Sequence, residues 1–330
     1  MHALLALALL ATAPRAPAFE LHALGVLGGD TDTNLSCYLL GKPGDAPTLM
    51  IDGGSVMSGL ARWQERRGLL KPDASPTVRA QAAMQTVKAL QGVLLTHAHL
   101  DHWGGLVDDS TLAFSLAMGG KPSLPIVGLP DTLDALHAHL FQSPLWVDFT
   151  TAPPKNPALA LHPLKPGETL SLGGFALSVV LLHHTVPSAA FLVRAGDAAY
   201  LHLGDTGDTD AVWEAARPLL AAHQLRAVSV EWSFPVDEKL AAMTGHLARG
   251  SFLKQLAKLA GVAVEKDAAA ITDADALALA RTLAPHFKDC RIFVIHVKAL
   301  SYDAVKADVT ALQHEGLDLV LPEQGESYRF

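Results

Sequence analysis

Short apolar runs, each closed by a polar residue or a Gly/Pro cluster, recur along this chain. LHALGVLGG, LSCYLL and TLMID read as strands within residues 19–60. The cluster Gly41-Lys42-Pro43-Gly44-Asp45, between the second and third, reads as a hairpin turn. Residues 77–91 switch to helical spacing, and GVLLT follows as a short buried strand. KPSLPIVGLP is a strand region bounded by prolines, and DTLDALHAHLF opens a helix with Asp131 as its cap. ALSVVLLHH, AAFLVRAG and AAYLHLGD make the middle strand-rich. DAVWEAARPLLAAH and the stretch around SFLKQLAKLA return to helical spacing; RIFVIHV is a strand, YDAVKADVTALQHEG a helix and LDLVLPEQG a last strand. The proline-rich TTAPPKNPALALHPLKPGE reads as an exposed loop. Strands followed by mixed α/β, twice over, predict two sheets with helices outside rather than one doubly wound sheet. No Gly-rich phosphate loop of the dinucleotide or P-loop kind is present.

The strand ends share a chemistry. TLMI ends in Asp52, VLLT in His97, VVLLH in His184, AYLHLG in Asp205, AVSV in Glu231 and RIFVI in His296. Any one marks an ordinary exit into water. Together they are all His, Asp or Glu, and sites in α/β folds form where strand C-termini converge. The stretch Thr96-His97-Ala98-His99-Leu100-Asp101-His102 is the densest cluster. Imidazoles and carboxylates suit zinc, iron or manganese, and the absence of thiolates disfavours a closed structural zinc site. His97 and His99 alternate, so both point one way from an extended turn. Asp101 and His102 follow as HWGGL enters a helix, and so face a second ion. Two ions about 4 Å apart suit displacement at phosphorus or a carbonyl. A second HAH, His137 and His139, falls inside a predicted helix, where positions two apart do not share a face; both read as surface residues. His183 and His202 fall within predicted strands and read as structural.

Composition narrows the partners. Of 330 residues, 50% are hydrophobic and 18% charged, which describes a folded globular protein. A net charge of −8 disfavours a nucleic-acid polymer, whose binding rests on Lys and Arg, but not a small phosphate ester at a local cationic centre. Cys37 and Cys290 form no CxxC pair and read as two buried thiols, with a single disulfide open if the protein is exported. Export is what the N-terminus suggests. ALLALALLA is too short to span a bilayer, and Ala16-Pro17-Ala18 fits a cleavage site before Phe19. Residues 1–18 thus read as a signal peptide and 19–330 as one domain, periplasmic or secreted and free of the membrane after cleavage. A retained N-terminal helix is the alternative.

THAHLDHWGGL resembles the HxHxDH signature of the metallo-β-lactamase superfamily. The resemblance implies a four-layer αββα sandwich of two mixed sheets, with a dinuclear site at one edge. It places His97, His99 and His184 on one metal and Asp101, His102 and His296 on the other, with Asp205 bridging and Asp52 orienting ligands from behind. IDGGSVMSGL, GLPDTLDALHAHLFQSPLWVDF, HTVPSAAFLV, LHLGDTGDTD, VEWSFP, TGHL and FVIHVK together resemble the class II cyclic-nucleotide phosphodiesterases over most of residues 22–300. Two departures stand beside the site: GDTGDTD where that family usually has GDTGPD, and Ala248-Arg249-Gly250 where it has a proline soon after GHL.

HTVPS and Glu231 with GHL also look like tRNase Z. That likeness makes His246 the acid for a leaving 3′-oxygen, with Glu231 orienting it. The plainer alternatives are a surface strand-end glutamate and a histidine near a helix cap. The implied activity is hydrolysis of 3′,5′-cyclic nucleotides, cAMP ahead of cGMP, to 5′-monophosphates by a hydroxide held between two divalent ions. Zinc leads, with manganese or iron compatible, and His246, Glu231 and Asp101 carry the chemistry. The partner is a small cyclic nucleotide, and a homodimer stays open. The competing readings are another hydrolase of the fold (tRNase-like, β-lactamase, lactonase or sulfatase) or a non-catalytic metal- or nucleotide-binding protein. The tRNase reading requires a Lys/Arg-rich arm, which the chain lacks. Trp146 or Phe141 could stack on a base, against the ordinary reading as core aromatics.

Overall fold

Along the strand Cys37–Gly41, Cys37 and Leu39 enter a core beneath helices, while Tyr38 and Leu40 enter a second core between two sheets. Burial on both faces is why such strands read as unbroken apolar runs. The computed structural model describes residues 15–29, 31–142 and 146–330. It contains two seven-stranded sheets. The first runs, in spatial order, Ser327–Arg329, Glu20–Gly25, Cys37–Gly41, Leu49–Ile51, Gly92–Leu95, Leu124–Gly128 and Leu159–Pro163. The second runs Leu319–Val320, Arg291–Ile295, Leu225–Glu231, Ala198–Leu203, Ser188–Ala195, Phe175–Leu182 and Leu170–Leu172.

The first sheet packs outward on helices Val56–Arg66, Pro76–Ala89 and Leu106–Met118. The second packs on Ala211–Ala221, Arg249–Ala260, Asp273–Leu283 and Tyr302–His314. Phe19, Tyr38, Phe175, Phe191, Tyr200 and Phe293 fill the space between the sheets. This is the expected αββα sandwich. Among the described residues no helix is long and apolar enough to cross a membrane.

Topology puts the strand ends on one edge. Leu49–Ile51 runs parallel to Gly92–Leu95. In the second sheet, Ala198–Leu203, Leu225–Glu231 and Arg291–Ile295 are parallel. Phe175–Leu182 is antiparallel to a strand that is itself antiparallel to Ala198–Leu203, so it points the same way.

Several local expectations change. The helix Pro130–Leu136 begins with Pro130, capped by Leu129, so Asp131 is a first-turn acid favouring the helix dipole rather than the cap. It continues as a π-helical turn, His137–Phe141, on which His139 is exposed as expected. The proline-rich loop contains an edge strand, Leu159–Pro163, whose mostly exposed outer residues hid it from an apolar search. LDLVLPEQG is not last: Ser327–Arg329 follows and pairs with Glu20–Gly25. Cys37 and Cys290 are free, buried thiols in opposite outer cores, which rules out a disulfide between them. Phe141 is core and Trp146 packs against the same core, its indole donating to Ser110 Oγ at 3.3 Å, so neither is placed to stack on a base. His183 lies past its strand and is exposed. The signal-peptide segment lies largely outside the described residues, which begin at Arg15.

His202 is structural. Its Nδ1 pairs with the Tyr200 hydroxyl at 2.8 Å, which also pairs with Ser229 Oγ at 2.6 Å. Burial, with the nearby His102 charge, pushes the pKa of His202 down to about 3, and burial pushes His22 down to about 4. Both therefore fold as neutral imidazoles. The unfolded chain binds the extra protons below about pH 6.5, so stability is full above that pH and is lost as pH falls. From pH 7 to 5 the metal-free protein should lose about 2 kcal/mol per histidine in urea unfolding. Replacing His202 with Gln should remove about 2 kcal/mol of that change. An unfolding free energy flat between those pH values would contradict it.

Candidate metal centre

Asp52 and His296 are the first residues past strands ending at Ile51 and Ile295, and both take left-handed backbone, at φ 55 and 58. A non-glycine residue seldom adopts that conformation without surrounding support. Here backbone bonds hold it: Asp52 N donates to Leu94 O at 2.8 Å and His296 N to Val26 O at 3.0 Å. The turn aims each side chain across the sheet edge. Gly28 makes room for His296, since a Cβ there would lie 2.4 Å from the imidazole.

Two parallel relays orient the imidazoles. Thr96 Oγ1 donates to Asp52 Oδ2 at 2.9 Å, so it must accept from His97 Nδ1 at 3.0 Å. Ser233 Oγ donates to Glu231 Oε2 at 2.6 Å and accepts from His296 Nδ1 at 3.1 Å. His102 Nδ1 donates directly to Asp52 Oδ2 at 2.7 Å. His184 Nδ1 donates to Gly245 O at 2.8 Å, a carbonyl presented by the left-handed turn ending the helix Glu238–Thr244. In each case Nδ1 is occupied, and Nε2 faces the centre.

The facing atoms converge. Ligand atoms of His97, His99, His184 and Asp205 lie within 4.8 Å of one another, as do those of Asp101, His102 and His296. Asp205 sits between the two groups: His97 Nε2 and His184 Nε2 are 3.7 and 3.9 Å from its Oδ2, His296 Nε2 is 3.1 Å from Oδ2, and His102 Nε2 is 3.3 Å from Oδ1. Asp101 Oδ2 lies 3.1 Å from His296 Nε2.

The donors fit divalent cations. The Nε2 atoms of His97 and His102 are buried without a hydrogen-bond partner, which native structures rarely tolerate unless something else binds there. The set is wholly imidazole and carboxylate, suiting zinc, manganese or iron. Burial holds His97, His99 and His296 below the usual histidine pKa, in the neutral form a metal needs. Burial also opposes charge on Asp205, but His296 and His102 outweigh it and hold the carboxyl well below its usual range. His102 is the exception: burial lowers its pKa, yet Asp205 and Asp52 raise it well above 6.5. A buried carboxylate pair demands a positive charge here, supplied by a proton or, better, by a metal.

At the rim stands the Glu231–His246 pair. Both carboxylate oxygens of Glu231 lie 3.1 Å from His246 Nδ1, and Thr206 N donates to Oε1 at 2.7 Å. Glu231 is fully buried, not a surface strand end. Burial would lower the pKa of His246, but Glu231 prevails and raises it. His246 Nδ1 is 3.8 Å from Asp205 Oδ2, so the imidazole reaches the metal cluster while its Nδ1 is held.

A family model described as cAMP phosphodiesterases class-II matches residues 48–300. The chain belongs to this family. As a class-II phosphodiesterase it is a hydrolase, and every residue from Asp52 to His296 discussed above falls inside the matched stretch. It is 27% identical to a probable 3′,5′-cyclic-nucleotide phosphodiesterase of Yersinia pestis, over 95% of this chain and 90% of that one. Unliganded yeast PDE1 superposes with a TM-score of 0.71 at 20% identity, covering 95% of this chain and 99% of that one. The Bacillus subtilis metallo-β-lactamase fold protein YhfI superposes at 0.59 with 16% identity, covering 96% and 100%. These likenesses bear out the fold.

The structure thus brings together all seven predicted ligands, with Asp52 behind them and His246–Glu231 beside them. Sequence reading of this phosphodiesterase missed Thr96, Ser233 and the Gly245 carbonyl. Thr96 adjoins His97, and Ser233 lies two residues past Glu231. Hydroxyls so placed were the available signal, but a relay is visible only once two strand ends meet.

Proposed function

We propose that the protein hydrolyses 3′,5′-cyclic nucleotides, cAMP foremost, to nucleoside 5′-monophosphates at a pair of divalent ions. His97, His99 and His184 would hold one ion and Asp101, His102 and His296 the other, with Asp205 within reach of both groups. Bound there, such ions supply Lewis acidity and lower the pKa of water towards about 7. Asp52, Thr96 and Ser233 lock the ligand imidazoles, so the centre needs little reorganisation on binding. Water adds to phosphorus in line with the P–O3′ bond and gives up a proton to solvent, that bond breaks, and His246 delivers its own proton to O3′. The observation that carries the reading is the buried Glu231–His246 pair at the cluster's rim, a proton donor where a poor alkoxide leaving group must depart.

The test is to incubate metal-loaded protein with a panel of cyclic nucleotides and identify the products. 5′-Monophosphates are expected. Bound metal with no turnover would favour a binding protein, and 3′-monophosphates would put the departing oxygen on the wrong side of His246. The proposal includes export, with cleavage before Phe19, which among the described residues is the first that is fully buried. Finding Met1 on the mature extracytoplasmic protein would refute it.

A further inference from the structure

Next to the metal cluster lies a cavity of about 360 Å³, between the helices Glu238–Thr244 and Arg249–Ala260 and the turn Ala268–Ala270. Its volume is on the scale of small-molecule sites. His246 is the shared wall: the same imidazole lines the cavity and approaches Asp205. A cyclic nucleotide with phosphorus at the cluster and O3′ at His246 must carry its ribose and base past that ring.

We propose that this cavity is the nucleoside subsite, taking a base that presents N–H donors. The inference rests on the proposed cyclic-nucleotide reading. Much of the lining is apolar, suiting the face of a heterocycle, and the polar groups are placed for its edge. Asp208 Oδ1 accepts from Gln255 Nε2 at 2.5 Å and Lys258 Nζ at 2.6 Å, and its Oδ2 has no hydrogen-bond partner among the described residues. Glu238 Oε1 accepts from Ser251 N at 3.0 Å, and its Oε2 is likewise unpartnered. Two free carboxylate oxygens accept amino or ring N–H groups of a base. Lys239 and Lys254 line the same cavity and balance the two carboxylates, so the orientation of the substrate is set by the cluster, which takes the anionic end. Asp208 occupies the position where the resembled family usually has proline, so this wall is a feature of the present chain.

Ala242 and Ala269 are exposed and line the cavity from two different elements, the helix Glu238–Thr244 and the turn Ala268–Ala270. Tryptophan at either should obstruct it without touching the cluster. In Ala242→Trp and Ala269→Trp, the KM for cAMP and the inhibition constant of 5′-AMP should each rise at least tenfold. The inhibition constant of inorganic phosphate, which has no base, should move less than twofold. If both variants leave the cAMP KM unchanged, or if phosphate weakens as much as 5′-AMP, the subsite is wrong. A wild type that cleaves an aryl phosphodiester but no cyclic nucleotide overturns the proposed function, and the subsite with it. A wild type active on cyclic nucleotides whose KM ignores both tryptophans overturns the subsite alone.

Discussion

Asp205→Asn should reduce turnover of cyclic nucleotides roughly a thousandfold or more, about 4 kcal/mol of barrier, with bound metal falling from two equivalents to one or fewer. Asp205 is 2% exposed, and its carboxylate lies within 3.9 Å of four of the six other candidate ligands. Its two oxygens face different partners, Oδ1 towards His102 and Oδ2 towards His97, His184 and His296. An amide keeps one acceptor and turns the other into a donor, and it removes the negative charge that offsets a divalent ion. Elemental analysis and steady-state rates on the same sample check this. An Asn variant with two bound metals and more than a tenth of wild-type turnover would show that Asp205 does not bridge.

His246→Ala should act differently. We expect kcat on cAMP to fall by roughly a hundred- to a thousandfold, within the range for loss of a general acid, while both metals remain bound. The ring also lies within reach of Asp205 and His296, but where burial would lower its pKa, Glu231 at Nδ1 outweighs that and raises it, which favours the protonated donor over the neutral form a metal needs. An aryl phosphodiester, whose leaving group departs without a proton, should lose far less. That split between substrates separates an acid from a residue that merely supports the centre. Loss of metal in the variant would make His246 a ligand, and wild-type rates on cAMP would remove it from the mechanism.

Much of this site was legible before any fold was known, for identifiable reasons. The metal donors are confined to the few residue types whose lone pairs bind hard or borderline cations, and several of them close an apolar run that reads as a buried strand. Asp52, His97, Asp205 and His296 stood out for that reason. The relays did not, because threonine and serine are common and nothing in VEWSFP marks Ser233 as the partner of His296, 63 residues away. Edge elements were obscured similarly. Leu159–Pro163 and Ser327–Arg329 bury too little apolar surface to show a pattern, and only pairing with a neighbour makes them strands.

The sequence by itself determined the ligand chemistry, the two-sheet architecture and the ionisable strand ends, because hydrophobic periodicity and donor type are local properties. Tertiary structure decided everything that depends on distance between remote segments. It set the left-handed turns that aim Asp52 and His296, and it showed that Glu231 is buried against His246 rather than solvated. It kept Cys37 and Cys290 in opposite cores, and it placed a cavity behind His246. Those outcomes follow from how two twisted sheets pack face to face, a property of the whole chain that no single stretch encodes.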